Sequence, residues 1–202
     1  ARHIDDNPSF NLESRKLLHT INLRTNTVCI DGINYDVVDP VFPTVNWTDP
    51  YKLTDEEEAV MTSLEQAFIH CEKLQRHMLL LLEKGSLYKI ENNTLMFHAC
   101  VPLNEDGSLK EVNIYGNTYK GKALFDAVDK YVRDAFTAKD PEARKKGCDL
   151  LWYLWLGEGS PLFAKSKMAT FEIYLIAEKA ARKEVKNSFY SLLENKNVLN
   201  GI

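Results

Sequence analysis

The chain has 202 residues, 45% hydrophobic and 27% charged, with a formal net charge of −4. That length and balance fit one large or two small globular domains and exclude disorder as the default. The acidic balance argues against the basic footprint of a nucleic-acid binder, and no apolar run approaches the roughly 18 residues of a membrane span, so neither partner is expected.

In chain order, the first stretch reads as a helix with Phe10, Leu12, Leu17 and Leu18 as its apolar side. Thr27 to Ile30 and Ile33 to Val38 then read as a hairpin, because Asp31-Gly32 supplies the positive φ angles of a type I′ turn. Pro40, Pro43 and Pro50 mark an irregular connector. A long helix is predicted from about Thr54 to Lys84, with a Thr54/Glu57 capping box and Asp55, Glu56 and Glu57 at the positive end of the helix dipole. Val60, Leu64, Ala67, Phe68, Cys71, Leu74, Met78 and Leu82 repeat at three-and-four spacing and predict one core stripe. Gly85 ends it.

Leu87 to Ile90 and Thr94 to Val101 read as strands around an Asn92-Asn93 turn. The second is apolar almost throughout, which predicts burial on both faces. A small hairpin is expected between Val112 and Tyr119 around Gly116-Asn117. Helices follow at about Lys122–Thr137, Pro141–Trp155 and Met168–Arg182, with a short one near Phe189–Leu193. Strands and helices are segregated, so the fold class is α+β.

Several patterns could carry chemistry. Gly116 to Ala123 nearly matches G-x-x-x-x-G-K-[ST], but Ala123 lacks the hydroxyl that would hold magnesium and no buried strand precedes it, so a turn is the better reading. His70 and His77 stand seven apart on one helix, not at the i, i+4 spacing of a metal pair, and read as surface or boundary residues. Asp126 with Asp129, and Glu56 to Glu58, fit exposed helix faces. Trp152, Tyr153 and Trp155 precede a Gly157-Glu158-Gly159-Ser160-Pro161 loop with Lys165 and Lys167 behind it. Aromatic packing and a functional loop are equally good accounts of that segment. His98, on the strand it interrupts, needs partners for both ring nitrogens if buried. Spacing alone leaves it as a hydrogen-bonded core histidine or a ligand.

The run Leu95-Met96-Phe97-His98-Ala99-Cys100-Val101-Pro102-Leu103-Asn104-Glu105-Asp106-Gly107 resembles a Phe-His-Gly-Cys segment, followed by Pro and Glu-Asp-Gly, of class III fructose-1,6-bisphosphatases. Phe42-Pro43, Asp49 to Thr54, Tyr119 to Lys122, Asp149 to Trp155, Ser160 to Phe163, Lys167 to Glu172 and Lys186-Asn187 continue the resemblance in order along nearly the whole chain.

The resemblance implies a calcineurin-type metallophosphoesterase. Two divalent metals, of manganese type, would be held by D-x-H, G-D-x-x-D-R and G-N-H-[DE] motifs and two later histidines. The first three motifs are absent here, as is the final G-H; His98 matches the first of the later histidines and is the one metal ligand assigned. The chain therefore looks like the central third of a longer phosphatase, with about residues 1–50 as helix, hairpin and connector, 51–120 as long helix plus strands, and 121–202 as a helical region. The expected fold is α+β, with buried strands of a metallophosphoesterase sandwich fragment and a mainly helical insert. The missing initiator methionine agrees with an excised piece.

The implied parent reaction is metal-assisted hydrolysis of the 1-phosphate of fructose 1,6-bisphosphate to fructose 6-phosphate, in gluconeogenesis and carbohydrate metabolism. The isolated chain is expected to be inactive and not to retain the metal. Lys165 and Lys167 are assigned to a substrate or effector phosphate. Ala99 and Ala164 stand where glycines are expected. Ile173 stands where an arginine is usual, and Asn187-Ser188-Phe189-Tyr190 where Asn-Pro-Tyr-Tyr is. The cysteines Cys29, Cys71, Cys100 and Cys148 are scattered and no signal-peptide core opens the chain, which points to the cytoplasm. A non-catalytic helical module for assembly or effector binding and a related phosphoesterase with another substrate remain alternatives, and a homo-oligomer is left open.

Overall fold

Pro8 ends the first helix almost as soon as it starts. In the computed structural model, which describes residues 1–202, α1 spans Arg2–Asp6, and the chain continues through single 3-10 turns at Pro8–Phe10, Glu13–Arg15 and Leu18–Thr20. The helix expected over this stretch is thus corrected. Proline has no N–H for the helical ladder, and Asn11 takes a left-handed backbone, with φ 54°. The apolar side chains still point inward, with Phe10, Leu12 and Leu17 buried.

β1 (Ile21–Asn22), β2 (Thr27–Ile30) and β3 (Ile33–Asp36) form one antiparallel sheet in that order. Asp31 and Gly32 take φ 52° and 80°, and Ile30 pairs with Ile33, as a two-residue type I′ turn requires. Residues 39–54 are irregular, as the prolines predict.

The long helix is two helices, α2 (Asp55–Ile69) and α3 (Glu72–Lys84). The capping box forms in full: the Thr54 hydroxyl accepts from the Glu57 N–H, and the Glu57 carboxylate accepts from the Thr54 N–H. Cys71 turns extended and acts as N-cap of α3, while the Gln75 side chain donates back to the carbonyl of Phe68. The predicted core stripe is corrected as well. Neither helix has a buried residue, and Val60, Leu64 and Phe68 are 60%, 50% and 64% exposed. Spacing shows that a helix has an apolar face; it does not show what lies against it. This arm joins the body chiefly at its ends. Thr44 donates to Glu57, and the Arg133 guanidinium donates to the carbonyls of Leu82 and Gly85.

β4 (Tyr88–Glu91) and β5 (Thr94–Phe97) form an isolated antiparallel ribbon around Asn92 and Asn93, both with positive φ. The expectation that this second strand is buried on both faces fails, since Leu95 and Met96 are 40% and 44% exposed. A two-stranded ribbon can press only one face against the body, here through Phe97 and Tyr88 onto Phe125. β6 (Val112–Ile114) and β7 (Asn117–Tyr119) make the third hairpin, turning at Tyr115-Gly116. The strands thus form three small antiparallel sheets, and the α+β class holds. The finer expectation of buried sandwich strands is not met by these residues.

α4 (Gly121–Thr137) and α5 (Pro141–Leu156) pack on each other. Gly147 permits that approach, because a Cβ there would stand 2.0 Å from the Cβ of Ala135. Leu124, Val128, Leu150, Tyr153 and Leu154 bury one face of this pair against Ile4, Phe10, Val112 and Ile114. The helix predicted over 168–182 is only α6 (Phe171–Leu175), followed by a 3-10 turn at Lys179–Arg182. Ile176 leaves the helix to bridge Val37, and Val38 donates to the Leu175 carbonyl, which puts Ile176 in a second core with Val28, Ile30 and Leu17. A third core joins Cys100, Val101, Leu103, Phe125, Ala164 and Phe189. The chain closes with a 3-10 turn at Ser188–Ser191, where a short helix was expected, and α7 (Lys196–Leu199). No helix is long and apolar enough to cross a membrane.

Candidate functional site

His98 lies just past β5, in a bend, and is exposed. A hydrogen-bonded core histidine is therefore not what the chain contains. The imidazole faces an open apolar concavity made by α5 and the segment after it: Leu151, Leu154, Trp155, Leu162, Phe163 and Met168. Two backbone features hold it there. Ala99 turns left-handed, with φ 64°, and its carbonyl accepts from the Tyr190 hydroxyl at 3.0 Å. Cys100, fully buried, donates its N–H to the Pro161 carbonyl at 3.3 Å. Burial pushes the Cys100 thiol up to about 11, so this neighbour stays a neutral thiol at physiological pH.

The aromatic segment divides between the two accounts that the sequence allows. Tyr153 is core, 2% exposed, with its hydroxyl donating to the Glu158 carbonyl at 2.7 Å. Ser160 is buried too, donating to Leu154 and accepting from Leu162. The Gly157–Pro161 loop is thus anchored by its own hydrogen bonds. Trp155 is different, 73% exposed beside His98.

The structure separates Lys165 from Lys167. Lys167 is 14% exposed at its side chain, 3.2 Å from Asp31 and 3.9 Å from Glu172. Glu172, fully buried, accepts two hydrogen bonds from Arg15, at 2.9 and 3.0 Å. Lys165 points elsewhere, pairing with Glu184 at 2.6 Å. Burial pushes the Glu184 carboxyl up, but the Lys165 hydrogen bond and the Ala169 N–H outweigh it and hold the carboxyl below its ordinary range. Lys165 lines a polar cavity together with Lys110 and Lys186, two lysines that sequence spacing did not single out. They arrive from segments 55 and 21 residues away, so no local pattern could have marked them.

The other candidates take the roles that their spacing suggested. In the near P-loop, Asn117–Tyr119 is strand and Gly121 starts α4, leaving no loop to cradle a phosphate; Lys122 pairs with Asp126 at 2.5 Å. His70 and His77 are exposed, and His70 bonds Gln66 on its own helix. Asp129 pairs with Arg133, and Glu57 caps α2. A cluster missed by sequence reading surrounds Asp149, 1% exposed, which accepts from Asn7 at 3.0 Å and from His3, with Arg2 at 3.6 Å.

No group of three His, Cys, Asp or Glu residues stands close enough to hold a metal ion. His98 alone does not fit a metal centre within this chain, since one imidazole cannot satisfy a four-coordinate or larger shell. The two alanines that replace expected glycines both prove to be left-handed, Ala99 at φ 64° and Ala164 at φ 58°. Ile173 is half exposed on α6 and makes no ion pair in place of the expected arginine.

The family model described as Firmicute fructose-1,6-bisphosphatase matches residues 1–202. The fructose-1,6-bisphosphatase class 3 of Phocaeicola vulgatus is 46% identical over 200 residues, covering 98% of this chain and 30% of that protein. Those of Clostridium botulinum strain Langeland and Clostridioides difficile strain 630 are 46% and 47% identical, covering 91% and 93% of this chain but 28% and 29% of theirs. The chain spans under a third of the length of these relatives. No solved structure matches it.

Proposed function

The chain belongs to the Firmicute fructose-1,6-bisphosphatase family, and from that membership we propose that the whole protein hydrolyses the 1-phosphate of fructose 1,6-bisphosphate, releasing fructose 6-phosphate for gluconeogenesis. The observation that carries this reading is the match along all 202 residues; an exposed His98, within the Phe97-His98-Ala99-Cys100 run that resembles the family's, supports it. The proposed superfamily is metallophosphoesterase, the proposed cofactor manganese and the proposed location cytoplasmic.

In this reading His98 supplies one neutral imidazole donor to a metal whose other ligands come from elsewhere in the whole protein. A divalent metal of this kind would activate the attacking water and neutralise charge on the phosphate. This chain's own contribution is positional. The left-handed Ala99 and the Cys100–Pro161 hydrogen bond set the direction of the ring, and Leu154, Phe163 and Trp155 form an open apolar wall beside it. The test is His98→Ala in the whole enzyme. Loss of bound metal together with about a hundredfold or greater loss of phosphate release is expected for a metal ligand; unchanged metal content and rate would refute the assignment.

A second reading is favoured by one specific observation, the apolar α2–α3 arm without a buried residue. There part of the segment serves assembly rather than chemistry, whether against the rest of the enzyme or in a homo-oligomer. Deleting the arm from the whole enzyme and measuring mass in solution separates the two readings. Altered assembly with intact metal binding supports this one.

A further inference from the structure

The open surfaces around His98 and along α2–α3 are apolar, the kind that another protein segment covers. One concavity is of the opposite kind. Segments around residues 103–105, 110, 158, 165–166 and 185–188 converge on a polar cavity of about 220 Å³, below the roughly 300–1,000 Å³ of drug-sized sites and suited to a compact polar group.

Its floor is a short antiparallel ladder. Lys165 bridges Lys186, the Ser166 N–H donates to the Val185 carbonyl at 2.8 Å, and the Asn187 N–H to the Ala164 carbonyl at 2.9 Å. Both lysines line the cavity, with Ser166 and Asn187 beside them. Lys165 has Glu184. Lys186 has no carboxylate within ion-pair distance and only the Tyr190 ring, 5.6 Å from its Nζ.

A third ammonium, Lys110, enters from the other side, held by Glu158 at 2.7 Å. That glutamate side chain is 61% exposed, and an exposed pair is weak enough to yield to a better anion. Neutral donors complete the lining. The Ser166 oxygen already accepts from the Val185 N–H, which leaves its O–H to donate. The Asn187 carbonyl oxygen accepts from Leu103 and Phe189, which fixes the amide with its NH2 group spare. Glu105 also lines the cavity and, with Glu158, disfavours anions on that side. On the ladder side the Lys186 ammonium, the Ser166 hydroxyl and the Asn187 amide remain as donors for a small anion with several acceptor oxygens.

We propose that the cavity between Lys110, Lys165 and Lys186 is a binding site for a phosphate monoester, with the Ser166 hydroxyl and the Asn187 amide as its neutral donors. The site does not involve His98 and stands whether or not that residue ligates a metal.

The test is titration of the 202-residue chain with inorganic phosphate at low salt, by calorimetry and 31P line broadening. One phosphate per chain is expected, with affinity reduced about tenfold by Lys186→Ala and retained in Lys186→Arg, as loss of one charge-assisted hydrogen bond predicts. Lys165→Ala should weaken binding similarly, and Lys120→Ala, an exposed lysine outside the cavity, should leave it unchanged. Lys186 is exposed and Lys165 partly so, so both substitutions should leave the fold intact, which circular dichroism checks. No saturable binding, or equal binding by wild type, Lys165→Ala and Lys186→Ala, overturns the proposal. Fructose 6-phosphate and glycerol 3-phosphate then identify the source. Tighter binding of the hexose ester assigns the site to a sugar phosphate, and equal binding to phosphomonoesters in general.

Discussion

Replacing Ala99 by glycine should stabilise this protein, against the usual direction of that substitution. Of the non-glycine residues with positive φ, five are Asn or Asp, which tolerate the left-handed region, and the others are Ala99, Tyr115 and Ala164. A left-handed backbone costs an L-residue with a Cβ about 1–2 kcal/mol. Glycine removes that strain but loses about 0.4–1 kcal/mol through the greater freedom of the unfolded chain. Ala99 is only half-buried, so little methyl packing is lost and the net gain is about 0.5–1 kcal/mol. Ala164 is 3% exposed, and losing a buried methyl removes about 0.8 kcal/mol more, so Ala164→Gly should come out near neutral. Urea unfolding of the 202-residue chain at constant m-value measures both. A loss of about 1 kcal/mol for Ala99→Gly, as at an ordinary helix position, would refute the strain argument.

Asp149→Asn should cost about 1–3 kcal/mol at neutral pH by weakening the bonds to His3 and Asn7, and its sign against pH is fixed. Burial pushes the Asp149 carboxyl up, but the Asn7 and His3 hydrogen bonds outweigh it and hold it below its ordinary value of 3.8. Its contribution is therefore present above that value and lost as pH falls through the lower folded one; urea midpoints measured downward from pH 5 should fall more steeply for wild type than for Asp149→Asn. Arg15→Met removes both hydrogen bonds of the fully buried Glu172 and leaves it only Lys167 at 3.9 Å, which should cost about 3 kcal/mol, whereas Arg15→Met with Glu172→Leu should recover most of it. A double variant as unstable as the single one would show that packing, not the unpaired charge, sets the cost.

Much of the local structure was legible in the sequence because its determinants are local. Asp31-Gly32 and Asn92-Asn93 specify their turns, Thr54 and Glu57 cap α2, and Pro141 starts α5. What failed depended on distant partners. The stripe from Val60 to Leu82 has core spacing but no buried residue, the apolar run from Thr94 divides into a lone ribbon at Thr94–Phe97 and a buried end at Cys100-Val101, and Ile176 leaves its helix to bridge Val37. Spacing left His98 between core histidine and ligand, the resemblance made it the assigned ligand, and its exposed placement follows the turn at Ala99. That Lys186 and Lys110 join Lys165 could not be read from the sequence, because only the fold brings them together. The substitutions at 99 and 164 stood out as departures, and the backbone now says why glycine belongs there.

The α2–α3 arm gives the molecule two tiers of stability. Helices of 15 and 13 residues are marginal in water when nothing packs against them, and these hold few ties to the three cores. Their amides should open by local unraveling, at a free energy unrelated to that of the α4–α5 pair, so hydrogen exchange would divide the chain into a slow body and a fast arm. The reciprocal bonds of Thr54 and Glu57 then matter more than a cap usually does, because they start the one element that the rest of the fold does not support.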